Sequence, residues 1–411
     1  MSTTVHRLQT TQVDAKGVAL LRRRSFQNWL LIILVFVAGA TLLSVELSAS
    51  RLLAPYFGTS LFVWANLIGL ILLYLTVGYY VGGRLADRYP YPIVLYALTS
   101  IAALLISAIP LIARPILSWS LTAFATLSVG VFYGSLISVI LLFAIPVILL
   151  GCVSPFAIRL LVDQIGESGR TSGMLYAIST TGSIVGTFLP VLILIPTIGT
   201  RYTFIVFAVM LLFVSIIGLI TTSARIDNSC IPDRAKKSIS TIKNFFPILL
   251  FILLLLMLTG LQGPIKPVSS GGGVVLLTER ESLYNYIQVI RFRNYTLLAL
   301  NEGLAIHSIY NPYRILTNGP WDYFSIAPYF NNPPFMQQKV RRVCIVGLGA
   351  GTIPRELTAA YGPIPIDGVE IDKAIVDLGR EYCDRSKDGK KKEARKGGKI
   401  PSVCGRAMRS R

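Results

Sequence analysis

Seven stretches of the chain run apolar for about the length that crosses a bilayer, roughly twenty residues. They are Trp29 to Ala49, Leu61 to Gly82, Ile93 to Ala113, Leu136 to Phe156, Met174 to Ile195, Phe204 to Ile220 and Phe245 to Leu261. Each predicts a spanning helix. Leu117 to Ser135 is uncharged and moderately apolar but holds Ser and Gly, so it reads either as an eighth span or as an interfacial segment. The first span follows a basic segment, residues 1–28, and its apolar core is longer than that of a cleaved signal peptide. It is expected to remain as an anchor of a helical membrane domain over 29–262.

Past the last span the period changes. Gly263-Pro264 and Ser269 to Gly273 predict a linker over 263–273. A β-rich region over 274–335 follows: Tyr284 to Phe292 alternates, Arg293-Asn294 marks a turn, and Tyr295 to Gly303 alternates again, which predicts a β-hairpin. Over 340–382 an apolar run, Val343 to Val346, leads into Gly347-Leu348-Gly349-Ala350-Gly351 and the helix-forming stretch Ile353 to Ala360. A second apolar segment, Ile364 to Ile371, carries Glu370 at its end and is followed by Asp372. Glycines let the backbone turn tightly and approach a ligand without Cβ interference. Glu370 stands 23 residues after Gly347, the spacing of an acid that accepts both hydroxyls of a ribose. The unit suits NAD and S-adenosyl ligands alike.

Composition changes the picture in two places. At 53% hydrophobic and 14% charged, against about 25% charged in soluble domains, a single soluble globule is excluded. The net charge of +19 suggests a polyanion partner until its location is read: residues 383–411 hold eleven Lys/Arg against three acids, or +8 of the total. This run lacks apolar period and interleaved aromatics, so a disordered tail is expected and specific nucleic-acid recognition is not. A lysine-rich tail binding anionic lipid headgroups is the rival view. Five cysteines form neither a CxxC pair nor a Cys/His cluster, so no metal site is expected.

With the N-terminus inside and seven spans, the inner segments hold fourteen basic residues and the outer ones three, Arg51, Arg114 and Arg201. That asymmetry places the N-terminus in the cytoplasm and everything after Leu261 outside it; eight spans would bring that region back in. Glu46 in the first span is a functional candidate as an intramembrane carboxylate, or an interfacial partner of Arg51. Gly82 to Arg88 looks like the short basic loop of the major facilitator transporters, a tight cytoplasmic turn. No span carries a series of acids or histidines marking an ion path, which disfavours coupled transport.

Glu281 to Val289, Leu300 to Gly303, the Gly347 to Gly351 turn and Val369 to Asp372 together resemble the polyamine aminopropyltransferases, the spermidine synthase family. The layout is similar to that of membrane-anchored members, in which a multi-span region precedes the synthase domain. Ser50 to Gly58 and Gly151 to Arg159 match that group as well, so the likeness covers about residues 29 to 382. It implies a membrane domain of seven or eight helices, a small hairpin region, and the start of a Rossmann-like α/β domain of the S-adenosylmethionine type. It also implies transfer of an aminopropyl group from decarboxylated S-adenosylmethionine to a diamine such as putrescine. On this reading Gly347, Gly349 and Gly351 lie against the nucleoside and the methionine-derived part, Glu370 and Asp372 hold the cosubstrate, and Asn285 stands where the family has a contacting Gln. His307 and Tyr310 fall in a segment where the family has substrate contacts. Gly319 to Phe324, aromatic-rich, serves either as a pocket wall or as packing.

Two departures accompany the likeness. Ala350 replaces the acid that soluble members carry inside the glycine turn, and the pattern ends after Tyr382. The family's catalytic Asp follows the fourth strand of its fold, which no segment here supplies. The expectation is therefore a truncated or frame-shifted chain, inactive by itself, in a bacterial or archaeal plasma membrane. A homo-oligomer is compatible with it. Two alternatives stand beside this one: a transport or scaffold protein with a relic or sensory nucleoside-binding domain, and an S-adenosylmethionine-dependent methyltransferase, since the Gly347 and Glu370 pattern serves that cofactor equally.

Overall fold

The computed structural model describes residues 2–127, 129–162, 168–226, 263–268, 272–301, 305–331, 333–334 and 336–383. The chain divides into two compact units, Met1–Leu53 with Thr59–Gln262, and Ala54–Gly58 with Gly263–Arg411. The expected span Phe245 to Leu261 and the basic tail from residue 384 on lie outside the described residues.

In the first unit, helices follow in the order α1 (Ser2–Phe57), α2 (Leu61–Arg88), α3 (Pro92–Ala123), α4 (Gly130–Gly151), α5 (Val153–Leu161) and α6 (Ser168–Leu189). A π-helical step, Pro190–Leu194, then leads to the short α7 (Ile195–Ile198) and to α8 (Thr200–Ile226). Among the described residues six helical segments are long and apolar enough to cross a membrane: Phe26–Phe57, Leu61–Arg88, Pro92–Ala123, Gly130–Leu161, Ser168–Ile198 and Thr200–Thr222. The stretch Leu117 to Ser135 is not a span of its own. Its first part completes α3 and its last part opens α4, with a turn between them.

Small residues lie where these helices come closest, a packing pattern also found between helices in lipid. A Cβ on Gly78 would lie 2.8 Å from Gly151 Cα, and one on Gly82 would lie 2.5 Å from Cys152 Cα. Backbone therefore meets backbone where α2 crosses α4 and α5. Gly182 and Gly186 of α6 approach the Phe36 and Ala40 carbonyls of α1 in the same way. Asn66 adds polar glue, donating to Phe132 O at 2.9 Å and to Ser135 Oγ at 2.8 Å. Gly82 to Arg88, expected as a turn, is instead the last part of α2. Gly82 packs against Cys152 and Asp87 pairs with Arg159 at 3.4 Å along this part of the helix, and the chain turns only at Tyr89 to Tyr91. Glu46 sits half-buried in the first span.

In the second unit an antiparallel sheet runs in the order β1 (Val274–Glu281), β2 (Tyr286–Phe292), β3 (Tyr295–Leu300) and β4 (Ala305–Tyr310). Phe292 pairs with Tyr295 across the predicted Arg293-Asn294 turn, where Arg293 takes the left-handed φ of 54° that tight hairpins need. Two bulges bend the sheet: β1 slips at Leu277, and β4 slips so that His307 has no register partner on β3.

One sheet face presents Ile287, Val289, Leu298 and Leu300, which pack against Ile375 and Leu378 of the last helix. Each such aliphatic side chain contributes about 1.5–3 kcal/mol when buried. The opposite face is polar yet buried. Tyr286 and Gln288 point there, and the 263–268 segment satisfies them, Gln288 Nε2 donating to Lys266 O at 2.8 Å and to Tyr286 Oη at 2.9 Å.

Next come a 3-10 segment, Pro320–Phe330, and then β5 (Val343–Val346), α9 (Thr352–Tyr361), β6 (Ile366–Val369) and α10 (Lys373–Tyr382). β5 and β6 pair in parallel with α9 as the crossover. Their core is small: Ile345, Ile353 and Leu357, with Trp321, Leu348 and Tyr361 packed against it. Val346 and Val369 are 84% and 54% exposed.

Candidate functional site

The glycine turn connects β5 to α9, and its conformation explains its composition. Gly347, Gly349 and Gly351 take φ of 87°, 60° and 96°, values that a side chain strains. Around Gly347 and Gly351 an added Cβ would meet nothing within 4 Å, so the turn is open on those sides; at Gly349 it would meet Ser308 Oγ at 2.8 Å. β4 therefore lies directly against the middle of the turn.

Four successive turn amides donate within the protein. Those of Gly347 and Leu348 bond to Val369 O at 2.9 and 3.0 Å, that of Gly349 to Glu370 Oε2 at 2.9 Å, and that of Ala350 to Ser308 Oγ at 2.8 Å. Glu370, just past β6, also accepts from the Asp372 amide through Oε1 at 3.2 Å. A carboxylate offers about four lone-pair sites, so each oxygen retains capacity for a hydroxyl donor.

Asp372 and Asn285, both expected against a cosubstrate, are hydrogen-bonded to one another. Asp372, 2% exposed, caps α10 by accepting from Ala374 N at 3.0 Å, while its Oδ2 accepts from Ser282 Oγ at 2.6 Å and Asn285 Nδ2 at 3.1 Å. Asn285 Oδ1 accepts in turn from Asn301 Nδ2 at 3.2 Å. Together these bonds fasten the β1–β2 connection to the start of α10. His307 and Tyr310 are not brought together: His307 is exposed at the bulge, whereas Tyr310 is buried on the face of β4 that carries Ser308. Arg355 stacks on the Tyr310 ring with its guanidinium carbon 4.7 Å from the centroid.

A shallow depression, with room for no more than about one water, lies beside the turn, lined by Ile309, Tyr310, Ala350, Gly351, Thr352, Arg355 and Cys383. Burial pushes the Cys383 thiol up to about 11, against the opposing pull of Arg355. Ala350 packs against the core shared by the sheet and α10, and a Cβ on Gly379 would come within 3.1 Å of its methyl. An acid at position 350 would need α10 to withdraw. Among the described residues no group of three or more His, Cys, Asp or Glu side chains could hold a metal ion.

Part of the chain is similar to a polyamine aminopropyl transferase. Over 113 residues it is 34% identical to a protein of Bifidobacterium longum (strain NCC 2705) described as a "Probable polyamine aminopropyl transferase". The alignment takes in 28% of this chain and 24% of that relative, so the chain spans about a quarter of the length of the curated relative it matches. No family model matches the chain, and no solved structure matches it.

Three residues that shape the site escaped the sequence reading. Ser308 buttresses the turn, Ser282 bridges to Asp372, and Thr352 Oγ1 accepts from Ile309 N at 2.9 Å and donates to Ile309 O at 3.1 Å, pinning α9 to β4. Serines and threonines are too common for position alone to mark them; only Ser282, three residues before Asn285 in a turn-forming run, carried a local signal.

Proposed function

We propose that this is a membrane-bound, spermidine synthase-like protein whose second unit binds decarboxylated S-adenosylmethionine in a Rossmann-like site and serves aminopropyl transfer to a diamine such as putrescine. The observation that carries the choice of chemistry is the partial likeness to a protein named as a polyamine aminopropyl transferase. The glycine turn supports a ligand of this kind. Dinucleotides set their pyrophosphate on turn and helix amides, but here the four amides from Gly347 to Ala350 already have acceptors in the protein. A phosphate-free nucleoside needs only a close approach and an acceptor for its ribose hydroxyls, which the open sides of Gly347 and Gly351 and the remaining lone pairs of Glu370 offer.

In this reading Glu370 orients the ribose and the glycine turn carries the nucleoside edge, while Ser308 and Asp372 hold the turn and α10 in place as positioning residues. The cosubstrate supplies an electrophilic carbon beside a sulfonium. The attacking amine must be neutral, so a carboxylate that positions the diammonium substrate and removes a proton is required. Six membrane-length helices and the excess of basic residues in alternate connections support a membrane location with the N-terminus in the cytoplasm.

Calorimetric titration of the full-length protein in detergent tests the proposal, with decarboxylated S-adenosylmethionine, S-adenosylmethionine and NAD compared. Tighter binding of the decarboxylated form, lost in Glu370→Ala, is expected. Preference for the carboxylated form would turn the assignment to a methyltransferase, and binding of none of the three would overturn it.

A further inference from the structure

The 3-10 helix Pro320–Phe330 runs for 11 residues, whereas most such runs stop at about three or four. With about three residues per turn, side chains at i and i+3 stand one above the other, so the segment carries three ridges. Asp322, Ser325 and Pro328 form one, and all three are half-buried. Tyr323, Ile326 and Tyr329 form the second, Phe324, Ala327 and Phe330 the third, and all six are exposed.

The polarity is the reverse of that of a helix on a soluble surface, whose apolar stripe faces the core. The inward side is fastened by polar contacts. Asp322 Oδ1 accepts from Thr317 N at 2.9 Å and Thr317 Oγ1 at 2.7 Å, and its Oδ2 accepts from Asn318 N at 2.9 Å. Ser325 O accepts from Tyr361 Oη of α9 at 2.5 Å, and Trp321 packs on the small core of Ile345, Ile353 and Leu357. On the outward side Tyr323 is 71% and Phe330 84% exposed, and neither ridge carries a charge. Large apolar side chains exposed together on one element mark a surface that another body covers.

Three observations point to the bilayer interface as that body. The helix Phe26–Phe57 is long and apolar enough to cross a membrane, and its end belongs to the second unit, where Tyr56 Oη donates to Ile265 O at 2.7 Å. A unit that incorporates the end of a spanning helix has a lipid surface within reach. The outward ridges mix phenols with hydrocarbon, and the ring with a polar tip is the side chain enriched where lipid meets water. Charge agrees: between residues 304 and 341 the sequence holds one acid, the inward Asp322, while Arg314 before the segment and Lys339 and Arg341 after it are exposed cations suited to anionic headgroups. Arg342, next in the chain, is held instead by Asp367 at 2.6 Å.

We propose that Pro320–Phe330 is an interfacial anchor that lies in the headgroup region of the bilayer with the ridges of Tyr323 and Phe330 toward the acyl chains. The anchor rests on the membrane location proposed above and is independent of the ligand that the glycine turn binds. Because Tyr361 and the Trp321 core join the segment to α9, docking holds the helix that opens at the glycine turn against the lipid surface.

A second copy of the chain or a different protein are the other occupants of such a face, and photo-crosslinking separates the three. p-Benzoylphenylalanine is placed at Phe330 of the full-length protein in nanodiscs of phosphatidylcholine and phosphatidylglycerol. Phe213, exposed on the membrane-length helix Thr200–Thr222, carries the same probe as a reference. Lipid adducts on both peptides are expected by mass spectrometry. Lipid adducts at Phe213 alone, or adducts of Phe330 to a second copy or to another protein, would overturn the anchor and leave the membrane location standing; no lipid adduct at either position would remove both. Hydrogen exchange of peptides covering 320–330 reads the charge. Protection is expected to be higher with phosphatidylglycerol than with phosphatidylcholine alone, and to drop by about fivefold for each of Arg314→Gln, Lys339→Gln and Arg341→Gln. Equal exchange on the two surfaces, in wild type and variants alike, would overturn the electrostatic part of the anchor.

Discussion

The amide of Gly349 donates to the carboxylate of Glu370 at 2.9 Å. The residue that sequence spacing assigns to a ribose is thus also the acceptor that closes the glycine turn, so the proposed ligand site and the turn geometry would be lost together. Glu370→Ala removes two hydrogen bonds to a charged group, from the Gly349 and Asp372 amides, each worth about 1.5–3 kcal/mol. Both the thermal midpoint of the second unit and its affinity for decarboxylated S-adenosylmethionine should fall, whereas Glu370→Gln, keeping one acceptor, should retain most of the stability. Calorimetry and thermal unfolding of the two variants would separate these effects.

Gly349 is a costly position for a side chain. Its φ of 60° strains any L residue, and a Cβ would meet Ser308 Oγ. Gly349→Ala is expected to destabilise by about 1–3 kcal/mol. Combining it with Ser308→Gly should relieve only the contact and leave the backbone strain, an incomplete rescue visible in urea unfolding.

Asp372 holds three donors from two elements. Loss of the cap costs about 1 kcal/mol and each buried donor left without an acceptor adds about 1–3. Asp372→Ala should therefore be among the most destabilising changes in this unit, with increased exchange at Ser282 to Asn285 as well as at the start of α10. Exchange raised in α10 alone would mean that the bridge to Ser282 and Asn285 contributes little.

Gly379 marks the contact of α10 with the turn. The atoms nearest an added Cβ are Ala350 Cα at 2.9 Å and Ala350 O at 3.0 Å, backbone that cannot swing aside. Gly379→Ala should cost about 1–3 kcal/mol and shift the turn. Restoring an acid in Ala350→Asp should destabilise for the same reason, and tighter cosubstrate binding by that variant would contradict the packing described here.

Thiol labelling offers a pH test. Cys383, raised to about 11 by burial, holds little thiolate at pH 8, while Cys344 is exposed. Iodoacetamide at pH 8 should modify Cys344 at least about tenfold faster, and the Cys383 rate should keep climbing with pH up to about 11. Peptide mapping by mass spectrometry measures both sites in one sample.

Some of this architecture was legible before any coordinates. The Arg293-Asn294 turn and the order strand, glycine turn, helix, strand, acid follow from local periodicity and from the backbone freedom of glycine. The six described spans follow from unbroken apolar runs of membrane length. Reading Gly82 to Arg88 as a turn failed because glycine and charge are local signals, whereas the helix there continues, with Gly82 packed against Cys152 and Asp87 paired with Arg159 from other parts of the chain. Asn285 and Asp372 stood out as polar residues near a glycine-rich turn, but the hydrogen bond between them joins positions 87 residues apart, which no local pattern announces.

Apart from the end of α2, element type and order in the described residues follow from near neighbours in sequence, because helix, strand and turn preferences act over a few residues. Which side chains meet was decided by the path of the backbone. Only the folded chain sets Ser308 under the glycine turn and Ala350 against α10. Such pairings depend on burial and on the balance of donors and acceptors in a closed space, which no local pattern of residues encodes.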